Sequence, residues 1–178
     1  MTGATASQLA YVGLVLLVVV ARLVELRVAA RHLAWSRERG GVEHGAGHYP
    51  VMVALHTLLL VGCVVEVLVA DRPFLGWLGW PALAVLLAAH VLRWWCIRSL
   101  GTAWTTRVVV VPGMEVVTRG PYRWLRHPNY VAVVAEGVAL PLVHTAWVTA
   151  LLFTLANAWL LLRVRIPVEE RALREAAA

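Results

Sequence analysis

Three apolar runs, Leu9 to about Ala30, Val51 to Ala70 and Leu78 to Ile97, leave this chain few folds to choose from. Each is close to the roughly 20 residues that a helix needs to cross a hydrocarbon core. A helix satisfies its own backbone polar groups, so runs of this length read as membrane helices. The first has no basic stretch ahead of it and no small-residue cleavage site behind it, and therefore reads as a retained helix rather than a secretory signal. Two shorter apolar stretches follow, Pro128 to Leu140 and Thr145 to Leu162, separated by Pro141-Leu-Val-His144. The expected fold class is all-α: a polytopic membrane bundle of about five transmembrane segments. The 178 residues, 61% of them hydrophobic, read as a single domain, with three N-terminal helices over 1–97 and a second half over 98–178.

Charge sets the expected orientation. The net charge is +6, and all sixteen basic residues are arginines crowded into alternate loops. Arg72 is the only one in the loops assigned to the outside, so the N-terminus is expected outside and the C-terminus in the cytoplasm of a multi-pass cell-membrane protein. Because the arginines sit at helix ends rather than on a soluble face, anionic membrane lipids are the expected partner and nucleic acid is not. Cys63 and Cys96 fall inside the spans and read as buried free thiols. His44 and His48 have no Cys or acidic partner at ligand spacing, so no metal is expected.

By that topology the Arg31–His48 loop, the Arg98–Arg126 segment and the C-terminal tail share one side. The last hairpin, Pro128 to Leu162, has about 35 residues, or about 50 Å of helix for two passes. A core roughly 30 Å thick needs more, so the hairpin is expected to be short or re-entrant, leaving a recess at the cytoplasmic face.

Two polar strings border that recess. In Arg119-Gly-Pro-Tyr-Arg-Trp-Leu-Arg-His-Pro-Asn-Tyr130, Pro128 fits the first turn of a helix. The free amides beyond it form an anion-friendly end, where Arg126 and His127 would hold a carboxylate or phosphate. Tyr122 and Tyr130 are placed to stack on a heterocycle or bond to a ribose, whereas Arg123 and Trp124 alone would pass for an interfacial belt. Beyond the hairpin, Arg165 and Glu169 are four apart and share a helix face; topology sets them opposite His127. Glu170 with Arg174 reads as a surface salt bridge, and Arg163 as a charge that fixes topology. Glu25, His56, Glu66, His90 and Glu136 lie inside spans, where ionisable groups are either functional or bonded between helices.

The string Gly120-x-Tyr122-x3-Arg126-His127-Pro128-x-Tyr130 with the later Arg165-x3-Glu169-Glu170 resembles the isoprenylcysteine carboxyl methyltransferase family, integral membrane enzymes that use S-adenosylmethionine. The resemblance covers about Arg93 to Leu173. It implies that Tyr122, Arg126, His127, Pro128, Asn129, Tyr130 and Glu169 bind the cofactor, together with Met114, Glu115, Val116 and Val117, and that Arg165 faces the methyl acceptor as the catalytic residue. It implies a lipophilic acceptor, either a prenylcysteine-like carboxylate or a phenolic or pyrone hydroxyl on a long alkyl chain. Ala132 replaces a residue that is usually Gly, implying a slightly narrower pocket. Family members commonly continue, beyond the position of Ala178, with a Gly- and Tyr-containing segment that belongs to the cofactor lid. A membrane reductase of the steroid-reductase type carries a similar Arg126–Tyr130 string but uses NADPH; the later Arg165 and Glu169 favour the methyltransferase. A non-enzymatic membrane protein is the other alternative, although no pseudo-repeat of helices supports transport.

Overall fold

Thr5 opens the bundle. In the computed structural model, which describes residues 4–177, its hydroxyl accepts from the Gln8 amide (3.3 Å) and the Gln8 side chain accepts from the Thr5 amide (2.7 Å). This reciprocal box satisfies donors that a helix start otherwise leaves free. The helix it caps, α1, runs Ala6–Glu38. Its 33 residues make about 50 Å, well beyond a hydrocarbon core of about 30 Å. The first part of the expected Arg31–His48 loop is thus helical to Glu38, and Arg31 and Arg37 ride on the protruding turns.

Helix α2 spans Tyr49–Val69 and α3 spans Gly76–Leu100. The turn between them holds Asp71 at a positive φ of 47°, and the Gln8 side chain donates to its carboxylate (2.8 Å). Tyr11, Val15, Leu59, Cys63, Val67, Leu86, Leu140 and Phe153 pack the core. Both cysteines are buried and free. On the outside, large apolar side chains such as Leu17, Leu58, Val69, Leu155 and Trp159 are exposed; an apolar surface of that extent is suited to lipid. Among the described residues, four helices are long and apolar enough to cross a membrane: Ala6–Glu38, Ala46–Val69, Gly76–Ala103 and Trp147–Ala176.

The fourth apolar segment differs. Helix α4, Pro128–Leu142, has 15 residues, or about 22 Å, and falls short of a full crossing. The expected short hairpin is therefore found in its first arm only. The second arm does not end at Leu162: α5, Trp147–Leu160, passes through a π-helical turn, Leu161–Arg165, into α6, Ile166–Ala177. Gly137 lets α4 meet α5 closely, since a Cβ there would lie 2.1 Å from the Phe153 ring.

Among the described residues the strands form one two-stranded antiparallel sheet. Strand β1, Val42–His44, pairs with β2, Val108–Val110, in the register Val42 to Val110 and His44 to Val108. It clips the loop after α1 to the segment after α3, and Arg107 reinforces the clip by pairing with Glu43 (2.6 Å) and covering the Tyr49 ring (4.2 Å).

The intramembrane ionisable residues bond between helices. The Arg22 guanidinium reaches both Glu136 oxygens (2.8 and 2.6 Å) and pairs with Glu25, while Arg93 donates to Glu136 (2.8 Å). His90 lies 3.5 Å from Arg22. These contacts tie α1, α3 and α4 together with balanced charge. Glu66 of α2 accepts from the Val148 and Thr149 amides (3.2 and 2.7 Å), so a carboxylate from another helix caps α5 and complements its dipole. His56 bonds back to the Met52 carbonyl (2.8 Å) with its ring edge-on to Phe153.

Candidate functional site

Because α4 is short, its first turn opens beside α6, and the segment between α3 and α4 folds over the gap. Gly120 starts this closure at a φ of +61°, where a Cβ would fall 2.0 Å from the Ser99 hydroxyl. The chain there lies directly on α3, and the Arg119 side chain donates to the Ser99 carbonyl (3.0 Å). A short 3-10 turn, Gly120–Arg123, then presents Tyr122, and Pro128 opens α4.

These elements enclose a cavity of about 540 Å³, within the range of small-molecule sites. Met114, Glu115, Val116, Val117, Tyr122, Arg126, His127, Asn129, Tyr130, Arg165 and Glu169 all line it. Two expectations need correcting. Pro128 is buried as the opening residue of α4 and does not line the cavity. Ala132 is fully buried one turn deeper, so it does not narrow the space. The anion-friendly helix end is also partly used up, because the Tyr130 and Val131 amides donate to the His127 carbonyl (3.1 and 3.3 Å).

Tyr130 is the hub. Its hydroxyl donates to Glu169 and accepts from the Arg165 Nε (3.4 Å). Arg165 and Glu169 therefore meet through this phenol rather than as a direct salt bridge. His127 stacks on the Tyr130 ring, with 5.4 Å between centroids. Its Nδ1 lies 3.5 Å from Glu169 and its Nε2 3.5 Å from Glu170. Glu170 thus faces His127, not Arg174 as expected, because the turn of α6 that carries Glu169 carries both acids toward α4. Hydrogen bonding to the Glu169 carboxylate holds the His127 imidazole above its usual pKa, although burial opposes the shift. Burial, with a contribution from the nearby Cys96, Glu169 and Tyr130, raises the Tyr122 phenol above its usual value.

Several lining residues gave no warning in the sequence. Trp104, Arg107 and Val108 to Val111 come from the segment that carries β2, and Leu173 and Arg174 from the last turns of α6. Pairing with β1 is what turns this β-branched run into a wall. Three buried polar atoms of the lining have no partner: the Trp104 Nε1, the Asn129 Oδ1 and the Arg165 Nη1. All three are closed off from solvent and from the cavity surface, so they sit behind the wall rather than on it. Acids (Glu115, Glu169, Glu170), arginines (Arg107, Arg126, Arg165, Arg174) and two tyrosines share the lining, a set that matches a molecule carrying both charges and a flat heterocycle.

A profile of the isoprenylcysteine carboxyl methyltransferase (ICMT) family matches residues 82–175. Bacillus subtilis (strain 168) has a similar protein, the uncharacterized YpbQ, 40% identical over 163 residues that cover 91% of this chain and 95% of that one. An uncharacterized protein of Haemophilus influenzae is 26% identical over 155 residues, 85% of this chain and 88% of its own. Among solved structures, the eukaryotic intramembrane Ras methyltransferase ICMT is similar with a TM-score of 0.56 and 26% identity over 71% of this chain. The chain spans about half the length of that enzyme, 46% of which is covered. All the cavity residues carried by α4 and α6 lie in the matched segment, and the chain belongs to the isoprenylcysteine carboxyl methyltransferase family.

Proposed function

We propose that this chain, acting as one domain, is an S-adenosylmethionine-dependent O-methyltransferase for a lipophilic acceptor at the membrane. One observation carries the reading: Tyr122, Arg126, His127, Tyr130, Arg165 and Glu169, brought together from three separate segments, line one cavity. Bound S-adenosylmethionine would supply an electrophilic methyl group on a cationic sulfur. Arg126 is the partner for its carboxylate, Glu169, Glu170 and His127 for its ammonium and ribose, and Tyr122 and Met114 to Val117 for its adenine. Arg165, which lines the same cavity, is the residue assigned to the acceptor oxygen.

Methyl transfer is an in-line displacement, so alignment in a poorly hydrated site is the main contribution of the protein. A second space of about 170 Å³, lined by Leu26, Ala29, Ala30, Leu33 and Tyr49, shares Thr105 and Arg107 with the cavity. It offers an apolar chain a way in from the lipid side. A prenylcysteine-like carboxylate and a phenolic or pyrone hydroxyl on an alkyl chain both suit this arrangement.

The N-terminus is assigned to the outside and the C-terminus to the cytoplasm, where S-adenosylmethionine is available. Cysteine labelling should place positions in the 31–48 and 98–126 segments on one face and Arg72 on the other. The central test is calorimetry with S-adenosylhomocysteine on the purified protein, followed by methyl transfer from labelled donor to lipophilic acids and phenols. Binding of NADPH with no response to S-adenosylhomocysteine would return the site to the reductase reading.

A further inference from the structure

The end of α3 and the turn that leads to α4 build a second polar surface, outside the cavity. Helix α3 has 25 residues, or about 37 Å, so its last turns rise out of a hydrocarbon core of about 30 Å. Trp95 and Arg98, three apart on those turns, share a face, and both are exposed. Against that face lies the 119–124 segment. A Cβ on Gly120 would lie 3.2 Å from the Trp95 indole nitrogen. Trp124 meets the Trp95 ring edge-on, with 5.7 Å between centroids, and the Arg123 guanidinium lies 5.4 Å from the centre of the Trp124 ring. Beside Arg98, the Arg119 Nε donates to the Ser99 carbonyl (3.0 Å). Arg123 and Trp124, which alone would pass for an interfacial belt, thus gain partners from a separate helix.

Charge sets this surface apart. Arg22, Arg37, Arg39, Arg72, Arg93 and Arg107 each pair with a carboxylate, whereas among the described residues Arg98, Arg119 and Arg123 pair with none. All three are exposed. A guanidinium fork holds a phosphate through two parallel hydrogen bonds, and exposed indoles favour the depth where headgroup meets acyl chain. Unneutralised cations beside such indoles therefore fit an anion that carries a hydrocarbon tail. A zwitterionic headgroup would bring a cation of its own to the arginines, and a free phosphate would leave the indoles uncovered.

We propose that Trp95, Arg98, Arg119, Arg123 and Trp124 form a binding site for one anionic phospholipid. Its phosphate lies among the arginines and the start of its acyl chains against the two indoles. None of these residues lines the cavity, so the site is independent of the methyltransferase reading.

The test places the full chain in vesicles of phosphatidylcholine and phosphatidylglycerol, with one lipid or the other brominated high on its acyl chains to quench indole fluorescence. Trp124→Phe, made in each background, keeps a ring and isolates the share of the signal that belongs to Trp124. In wild type that share should report a preference for phosphatidylglycerol of about fivefold or more, the worth of one cation near an anionic surface. The triple variant Arg98→Gln, Arg119→Gln, Arg123→Gln should lose the preference. A matched triple, Arg27→Gln, Arg31→Gln, Arg171→Gln, removes as much charge from exposed positions elsewhere and should keep it.

Equal quenching by the two lipids in wild type would overturn the site, and that measurement needs no arginine variant to fold. So would a preference that survives the first triple. Equal loss in the matched triple would assign the attraction to net charge rather than to this surface and overturn it as well. Loss of the preference in millimolar inorganic phosphate would give the arginines to a free anion and refute a lipid site.

Discussion

Glu136 is the residue whose loss the bundle should feel most. It lies on α4 with a side chain 8% exposed, accepts two bonds from Arg22 (2.8 and 2.6 Å) and one from Arg93 (2.8 Å). Glu136→Ala would leave two guanidinium groups facing Glu25 alone, with one positive charge uncompensated at membrane depth. Removing one partner of a buried ion pair costs about 3–5 kcal/mol, against a total stability of about 5–15 kcal/mol. For a chain of this length each kcal/mol moves the melting point by about 2–4 °C, so the apparent Tm in detergent should fall by about 6–20 °C. Glu136→Gln keeps one acceptor oxygen and should lose less. The double variant Arg93→Met with Glu136→Leu removes one cation and one anion, leaves Arg22 paired with Glu25, and should recover most of the loss. Glu38→Ala, at an exposed position, is the control. A Glu136→Ala protein that melts within about 2 °C of wild type would refute the charge-balance argument, as would a double variant no better than the single one.

Arg165→Ala should spare S-adenosylhomocysteine affinity and reduce methyl transfer by about 2–4 kcal/mol of transition-state stabilisation; Arg165→Lys should recover little, because it lacks the planar fork. Glu169→Ala should instead weaken S-adenosylhomocysteine binding, and calorimetry on both variants separates the two roles. Since the folded state raises the His127 pKa, its contribution to stability is complete below the unfolded value of about 6.5 and fades as pH rises through the raised folded value. The difference in Tm between wild type and His127→Gln should therefore shrink across that window; a difference constant with pH would contradict the contacts to Glu169 and Glu170. Deleting the exposed Leu162 should preserve S-adenosylhomocysteine binding, whereas inserting one alanine after it should abolish binding. Equal effects of the two changes would discount the role of the π turn.

The bundle was legible because apolar run length is a direct physical constraint in lipid. The buried cysteines and the start of α4 at Pro128 followed from local chemistry of the same kind. The site was legible through Tyr122, Arg126, His127, Tyr130, Arg165 and Glu169, polar groups too costly to sit at a membrane edge without partners. The Trp104 and Val108–Val111 walls were not, because β2 exists only through its pairing with β1, a contact between segments more than 60 residues apart. Nor was the Glu66 cap of α5, in which the carboxylate and the amides it satisfies come from different helices.

The continuation of α5 into α6 escaped the sequence for a subtler reason. Ala150, Phe153, Asn157 and Leu160 keep the buried stripe at spacings an α-helix allows, but the next deeply buried charge, Arg165, comes five residues after Leu160. At about 100° per residue, five residues place a side chain about 140° from the stripe, which would turn Arg165 into the lipid. Read as an α-helix, the stretch therefore looks like an end with a topology-fixing arginine. The π turn over Leu161–Arg165 absorbs the extra residue, as such turns do at functional sites, and returns Arg165 to the inner face. Glu169, four residues on, then falls on the same side, and both reach the one hydroxyl of Tyr130. The extra residue that hides the helix from a periodicity argument is thus the one that builds the site: it lets a membrane-crossing helix keep its packing below Leu160 while presenting an arginine and a glutamate to the open end of α4 above it.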